Sequence, residues 1–470
     1  MSIKIGMVSL GCPKNLVDSE LMLGGLAAKG CAVTPDASQA EILLVNTCGF
    51  IESAKKESIE TILEMARYKK EGNLKKLIVT GCLVQGYVEE LKRELPEVDA
   101  FLGSADFRSI GDVVDELMNE KRKKGALIKI SAPVDLYDEN LPRLLSTPPW
   151  TAYLKMAEGC DHACAFCAIP KLRGKMRSRT IESVVKEAQM LAKRGVKEIN
   201  VISQDSSEYG RDLYGKPRLA ELLEELDKVE GPRWIRVHYL YPAFLDEKLM
   251  RVMAEGKRLA KYVDLPLQHA DDAMLKAMRR PGSYDANLKT LRDFRRLVPG
   301  VSLRSSFIVG YPGETEAQFK RLLEFLREAS LDRAGFFTYS QEVLTPSGSL
   351  PDQLPEKVKK ERQKDAMLVS LEVSAARLKN KIGQEIDVLI EGAPGASPEE
   401  KSGESVEHGP YSARGMAPRG QYVGRSQGDA PEIDGRVYVD AGKNALKPGD
   451  FVRVKIMSST EHDLLGSLLP

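Results

Sequence analysis

Cysteine is scarce in this 470-residue chain, which holds seven: Cys12, Cys31, Cys48, Cys82, Cys160, Cys164 and Cys167. So few thiols cannot staple a chain of this length as a disulfide scaffold, and an odd number excludes a simple set of pairs. Long apolar runs are missing as well. No stretch approaches the roughly 20 residues needed to cross a bilayer, and the opening Met1-Ser2-Ile3-Lys4-Ile5-Gly6 lacks the charged and apolar regions of a secretory signal. A cytoplasmic protein without a membrane anchor is expected. An excess of one charge is also lacking. The formal net charge is +1, from 69 Lys+Arg and 68 Asp+Glu. That removes the overall basicity that phosphate binding usually brings, and leaves only a local basic patch as a route to nucleic acid.

What is present reads as an ordinary globular chain, with 42% hydrophobic and 29% charged residues, long enough for about three domains. Residues 1–140 alternate apolar runs (3–10, 41–46, 76–80) with helical patterns (15–29, 50–70, 84–94). This order predicts an open parallel α/β sheet with helices on both faces. Lys121-Arg122-Lys123-Lys124 reads as a solvated helix end, and 141–150 as a linker. Residues 141–382 repeat the alternation six times, with strands at 152–157, 198–203, 234–240, 262–267, 302–309 and 335–339. Six consecutive βα units predict a (β/α)6 partial barrel, closed off by a long charged helix over 355–381. Residues 383–470 change to short strands (385–390, 420–425, 435–439, 450–457) with turn signals, which predicts a small antiparallel β-barrel. The Gly-, Ser-, Pro- and Glu-rich stretch 393–419 cannot bury much apolar surface and is expected to form a mobile loop.

The densest chemical signal is Cys160-Asp161-His162-Ala163-Cys164-Ala165-Phe166-Cys167, directly after the first barrel strand. Three thiolates on one short loop can wrap one cubane iron–sulfur cluster. Three ligands for four irons leave one iron open to chelate the amino and carboxylate groups of a small molecule. Barrel active sites collect on such loops. The alternative is zinc, which wants a fourth ligand, with His162 the nearest.

The cysteine loop, the six βα units and Phe166 resemble the radical S-adenosylmethionine superfamily. The resemblance implies a [4Fe-4S] cluster on Cys160, Cys164 and Cys167 that reductively cleaves S-adenosylmethionine, giving a radical that abstracts hydrogen from an unactivated carbon. Phe166, Gln204, Asp205 and Arg304 sit where that family's other cofactor contacts fall, with barrel packing as their alternative role.

Cys12, Cys48 and Cys82 are far apart in sequence but share one context. Each follows a predicted strand, precedes a helix, and has a glycine beside it (Gly11, Gly49, Gly81). In an open parallel sheet the strand C-terminal ends line one edge, where ligands bind. The three thiols are therefore expected to converge and to hold a second cluster with an open iron; three unrelated buried cysteines are the alternative. Cys31, at the start of the next strand, is assigned to packing.

Over nearly the full length, the chain resembles the methylthiotransferase family. The resemblance rests on Ser9-Leu10-Gly11-Cys12-Pro13-Lys14-Asn15, Asn46-Thr47-Cys48-Gly49-Phe50-Ile51, Thr80-Gly81-Cys82-Leu83, Glu158-Gly159-Cys160 through Pro170 with Arg173-Gly174-Lys175, and Asp429-Ala430-Pro431-Glu432-Ile433-Asp434-Gly435 in a terminal TRAM barrel. It implies two [4Fe-4S] clusters facing each other across a closed cavity, S-adenosylmethionine as radical source and methyl donor, and sulfur delivered from the cluster on Cys12, Cys48 and Cys82. It also implies a reduced electron donor of flavodoxin or ferredoxin type, a sulfur donor and a monomeric enzyme.

Some members modify the β-carbon of an aspartate in small-subunit ribosomal protein number twelve, and others a tRNA adenosine. Cys12-Pro13-Lys14-Asn15 has the form of the former. From 384 to 470 there are 14 Asp+Glu against 9 Lys+Arg, a formal charge of −5. An RNA-gripping barrel should be basic; an acidic one suits a basic protein. A ribosomal protein substrate is the expectation, tRNA the alternative, and a non-catalytic iron–sulfur sensor or RNA-binding protein the alternative of another class. Blander roles are expected elsewhere: a structural hydrogen bond for His269, a helix N-terminus for Glu314, and a solvated face for Arg173, Lys175, Arg177 and Arg179.

Overall fold

The computed structural model describes residues 2–119, 125–394 and 420–470. The basic run at 121–124 and nearly all of the expected loop at 393–419 lie outside the described residues.

The first sheet has six parallel strands: β1 (Lys4–Ser9), β2 (Ala32–Val33), β3 (Ile42–Thr47), β4 (Lys76–Gly81), β5 (Ala100–Leu102) and β6 (Leu127–Lys129), in the order β2-β1-β3-β4-β5-β6. Alternation along each strand builds two cores. Ile42, Leu44 and Ile78 face the helices Pro13–Ala28 and Ile110–Leu117, while Leu43, Val45, Leu77 and Val79 face Glu52–Ala66 and Cys82–Glu94. That is why β3 opens on four apolar residues in a row, Ile42-Leu43-Leu44-Val45: it is buried on both sides.

The central unit opens with β7 (Thr151–Lys155), followed by a short antiparallel hairpin of β8 (Ala157–Glu158) and β9 (Arg177–Ser178). The remaining strands are β10 (Glu198–Ile202), β11 (Trp234–Val237), β12 (Tyr262–Asp264), β13 (Ser302–Val309) and β14 (Arg333–Thr338). They pair in parallel as β7-β10-β11 and β12-β13-β14. A bridge from Ile235 to Leu259 and a 2.8 Å bond from Leu240 N–H to the Asp264 carbonyl join the two sets. Because β7 and β14 do not pair with each other, the six strands form an open barrel. Residues 141–150 are not a loose connection. Arg143 bonds Glu20 and Glu187, each at 2.6 Å, and ties the segment to both units.

After the helix Glu356–Lys379, five strands close a small barrel: β15 (Glu385–Gly392), β16 (Tyr422–Ser426), β17 (Val437–Asp440), β18 (Phe451–Ser459) and β19 (Leu464–Leu468). Four of its pairings are antiparallel and the fifth, β17 with β19, is parallel. The sequence pattern misses β19, since Leu464-Leu465-Gly466-Ser467-Leu468 has no clean alternation.

This barrel docks on the N-terminal ends of the central strands, away from the cysteine loop. Glu198, Trp234, Tyr262 and Arg333, each the first residue of its strand, meet Arg425 (2.6 Å), Phe451 (ring centroids 4.6 Å), Asp434 (2.8 Å) and Asp429 (2.7 Å). Three of the barrel's carboxylates, Glu391, Asp429 and Asp434, therefore pair with arginines inside the protein, so its acid excess is partly internal.

Glu198 is fully buried between Arg425 and Arg236. Burial pushes its carboxyl up, but the two guanidiniums outweigh burial and bring it from the ordinary 4.5 down to about 2. A carboxyl depressed in the folded state contributes stability above its unfolded value and loses it as pH falls towards the folded one. The docking contribution is thus complete above pH 4.5 and fades towards pH 2. Glu198→Gln leaves two buried arginines undercompensated and should cost about 3–5 kcal/mol, measured by denaturant unfolding at pH 7, with a smaller acid dependence than wild type.

Candidate active site between the first sheet and the open barrel

Cys12, Cys48 and Cys82 stand at the C-terminal ends of β1, β3 and β4, three adjacent strands. The structure brings them together. Gly11 has φ +88°, and a Cβ on it would lie 2.7 Å from Cys48 Cβ and 3.1 Å from Cys48 Sγ, so only glycine lets the first loop pass this close. Asn15 laces the loops: its amide donates to the carbonyls of Leu10 and Thr47, each at 3.0 Å, and its Oδ1 accepts from Arg173. Ser58 Oγ holds Cys48 through both its N–H and its carbonyl, at 3.1 Å each. Burial first, and then the thiols of Cys12 and Cys82, push Cys48 up to about 12. Such a trio gives up its protons against a cation, which is the condition for binding iron. Cys31 lies half-buried beside β2 at the opposite end of the strands, in apolar surroundings.

Cys160, Cys164 and Cys167 lie on the loop after β8, with Cys160 and Cys164 buried. Burial first, helped by Cys164, pushes Cys167 up to about 12 despite nearby Arg280, and burial raises Cys160 too. His162 turns Nε2 to Asp205 (2.6 Å) and Glu208 (3.5 Å), and its ring stacks on Tyr241 at 3.6 Å. That nitrogen does not join the thiols, so zinc with His162 as fourth ligand lacks support. Among the described residues, the buried atoms Gln204 Oε1 and Arg280 Nε near the loop make no hydrogen bond, and Glu208 Oε2 has only His162 at 3.5 Å. Arg280 also lies 3.7 Å from Cys164 Sγ through Nη1 and stacks over Tyr241. Three thiols ringed by orphaned polar atoms fit a cluster with a polar small molecule beside it.

The other expected contacts divide. Gln204 bonds Glu158, two residues before Cys160, and Asp205 faces His162. Phe166 packs with Met274, Met278, Tyr311 and Tyr339. Arg304 lies on β13 and pairs with Asp264 (2.9 Å) and Asp434 (3.4 Å); among the described residues no contact carries it to the cysteine loop.

The two trios adjoin. Ala168, next to Cys167, packs in one apolar cluster with Cys82. Arg173 ends the helix Ile169–Arg173 and donates from Nε to Cys82 Sγ at 3.1 Å. Its Nη1 reaches both Asp18 (2.6 Å) and Glu158 (3.3 Å). Lys155 closes the network on Asp18 (2.6 Å) and Glu158 (2.5 Å). The basic run is therefore divided: Arg173 and Arg179 are each 3% exposed, against the expected solvated face, while Lys175 is exposed and Arg177 half-buried. Sequence patterning missed this because the helix Pro13–Ala28 turns its polar residues Lys14, Asn15, Asp18 and Glu20 inward. His269 and Glu314 pair at 2.9 Å, fully buried, and Glu314 also binds Arg362, so both are internal.

An open parallel barrel carrying a three-cysteine loop defines a radical S-adenosylmethionine enzyme. Family models agree: residues 154–326 match the radical SAM superfamily, 4–103 the uncharacterized protein family UPF0004, and 415–469 the TRAM domain. The radical S-adenosylmethionine methyltransferase TsrM from Kitasatospora setae shares the fold, with a TM-score of 0.55 at 14% identity over 74% of this chain and 77% of that one. The ribosomal protein uS12 methylthiotransferase RimO of Desulforamulus reducens is 47% identical over 99% of both chains. That of Pelotomaculum thermopropionicum is 45% identical, also over 99% of both. The chain belongs to the RimO family of radical SAM methylthiotransferases.

Proposed function

We propose that the chain adds a methylthio group to the β-carbon of an aspartate in ribosomal protein uS12. One [4Fe-4S] cluster would be held by Cys160, Cys164 and Cys167, and a second by Cys12, Cys48 and Cys82. The observation that carries this reading is the junction of the two cysteine-bearing segments: Cys82 shares an apolar cluster with Ala168, the residue after Cys167, and accepts a hydrogen bond from Arg173. Bound there, the clusters and S-adenosylmethionine supply one-electron chemistry at an unactivated carbon together with a sulfur atom and a methyl group for transfer.

The chain's own residues set the frame. Glu158 and Gln204 present a bonded polar pair beside Cys160, with Gln204 Oε1 still available to the cofactor. Burial raises the Glu158 carboxyl, but Lys155 and Arg173 outweigh it and hold it at about 2, so it stays an anion and an acceptor. Asp205 fixes His162 against Tyr241, and Phe166 lends an apolar wall. Arg173 places a fixed positive charge and an N–H on Cys82, which favours added negative charge at that trio. Arg304 is assigned to holding the C-terminal barrel through Asp434.

We place domain boundaries near 140 and 382, and assign a flavodoxin- or ferredoxin-type reductant, a separate sulfur donor, and a monomer acting in the cytoplasm. No helix among the described residues is long and apolar enough to cross a membrane. The test is an anaerobic assay of reconstituted protein with S-adenosylmethionine and reductant against uS12 and, separately, tRNA, read by product mass. Methylthio-uS12 and unmodified tRNA are expected; methylthiolated tRNA with untouched uS12 would overturn the substrate assignment.

A further inference from the structure

Lys14 is 8% exposed, yet among the described residues no carboxylate lies within ion-pair distance of its ammonium group. Every other buried lysine or arginine of this junction has one: Lys155 and Arg173 have Asp18 and Glu158, and Arg143 and Arg179 have Glu187. Lys14 Nζ instead lies 3.5 Å from the ring centroid of Tyr239, just beyond the C-terminal end of β11 on the other side of the junction. Tyr239 is one of few non-glycine residues held at positive φ, +61°, a strained conformation that clusters at functional sites. Two residues from Cys12 in sequence and set against a ring at the strand ends of the open barrel, the lysine bridges the two units.

A buried ammonium group costs free energy unless an anion meets it. We infer that Lys14, backed by the Tyr239 ring, is the binding site for the carboxylate of the acceptor side chain, and holds the adjacent β-carbon between the two cysteine trios. The inference rests on the uS12 aspartate reading above and sharpens it: the acceptor is selected by its charge. A carboxylate held on one side of the carbon also fixes which hydrogen faces the Cys160 loop and which face meets the Cys12 trio.

The test is a double-substitution cycle. Cluster-loaded protein without S-adenosylmethionine is titrated with recombinant uS12 and with uS12 in which the target aspartate is asparagine, using wild type, Lys14→Met and Lys14→Arg. Iron content and cluster absorption report that each variant is intact. Wild type should bind the aspartate form about 10- to 100-fold more tightly than the asparagine form, the range of one charge-assisted hydrogen bond. Lys14→Met should lose that preference to within about twofold, and Lys14→Arg should keep part of it. If Lys14→Met discriminates aspartate from asparagine as well as wild type does, the lysine serves only the cysteine trio and the inference is overturned. If wild type binds neither form of uS12 but binds tRNA, the substrate reading fails and the inference with it.

Discussion

Cys164→Ala abolishes cleavage of S-adenosylmethionine, lowering deoxyadenosine release by at least about a thousandfold, roughly 4 kcal/mol on the barrier. The argument is local. Cys164 is the middle cysteine of a loop whose backbone is already fixed: Ala165 N–H bonds the Met278 carbonyl at 2.9 Å, and Ser347 N–H bonds the Ala165 carbonyl at 2.9 Å. A rigid loop cannot recruit another donor, and the nearest imidazole, His162, is turned to Asp205. Exchanging a small buried thiol for a methyl group costs little packing, so circular dichroism should match wild type. Anaerobic chromatography of deoxyadenosine reads the loss; release at wild-type rates would remove the triplet from the site.

Cys48→Ala has an equally large effect on a different product. It leaves cleavage within about threefold of wild type and eliminates methylthio-uS12, again about a thousandfold. Cys48 is the discriminating choice because its bonds are confined to Ser58 and the first sheet. Cys82→Ala is a poorer probe. Cys82 accepts from Arg173, whose guanidinium also holds Glu158 beside the other trio, so its loss would spread to both. Counting deoxyadenosine and methylthio-uS12 in the same reaction separates the two cysteine sets. Methylthio product from the Cys48 variant would deny the N-terminal trio its part in sulfur transfer.

The reach of the sequence follows from where periodicity carries information. β3 and β4 were legible because a strand buried on both faces must contain an apolar run, and the six strands of the open barrel because the βα alternation recurs six times. The cysteine triplet was legible because its spacing is local, and the dispersed trio because one strand–cysteine–helix context recurs three times with a glycine in each. The short strands β2, β5 and β6 carry too few residues to show a pattern. The junction was illegible for a stronger reason. Lys14, Asn15, Asp18 and Glu20 lie on a helix that buries a polar face as well as an apolar one, and Arg173 and Arg179 sit in a basic run that would ordinarily be solvated. Patterning assumes that polar means outside; here polar residues are paired across two units 137–155 residues apart, which local sequence cannot reveal. Arg304 shows the converse: a strand position that suits a cofactor contact is given to Asp264 and Asp434.

The most direct test of the account is the iron held by each trio. Anaerobically reconstituted wild-type protein should carry about eight irons per chain, read by iron assay and Mössbauer spectroscopy. Replacing Cys12, Cys48 and Cys82 together with alanine, or Cys160, Cys164 and Cys167 together, should leave about four in each case, all in one cubane signature. Retention of the full iron complement by either triple variant, or about four irons in wild type, would contradict two separate cluster sites.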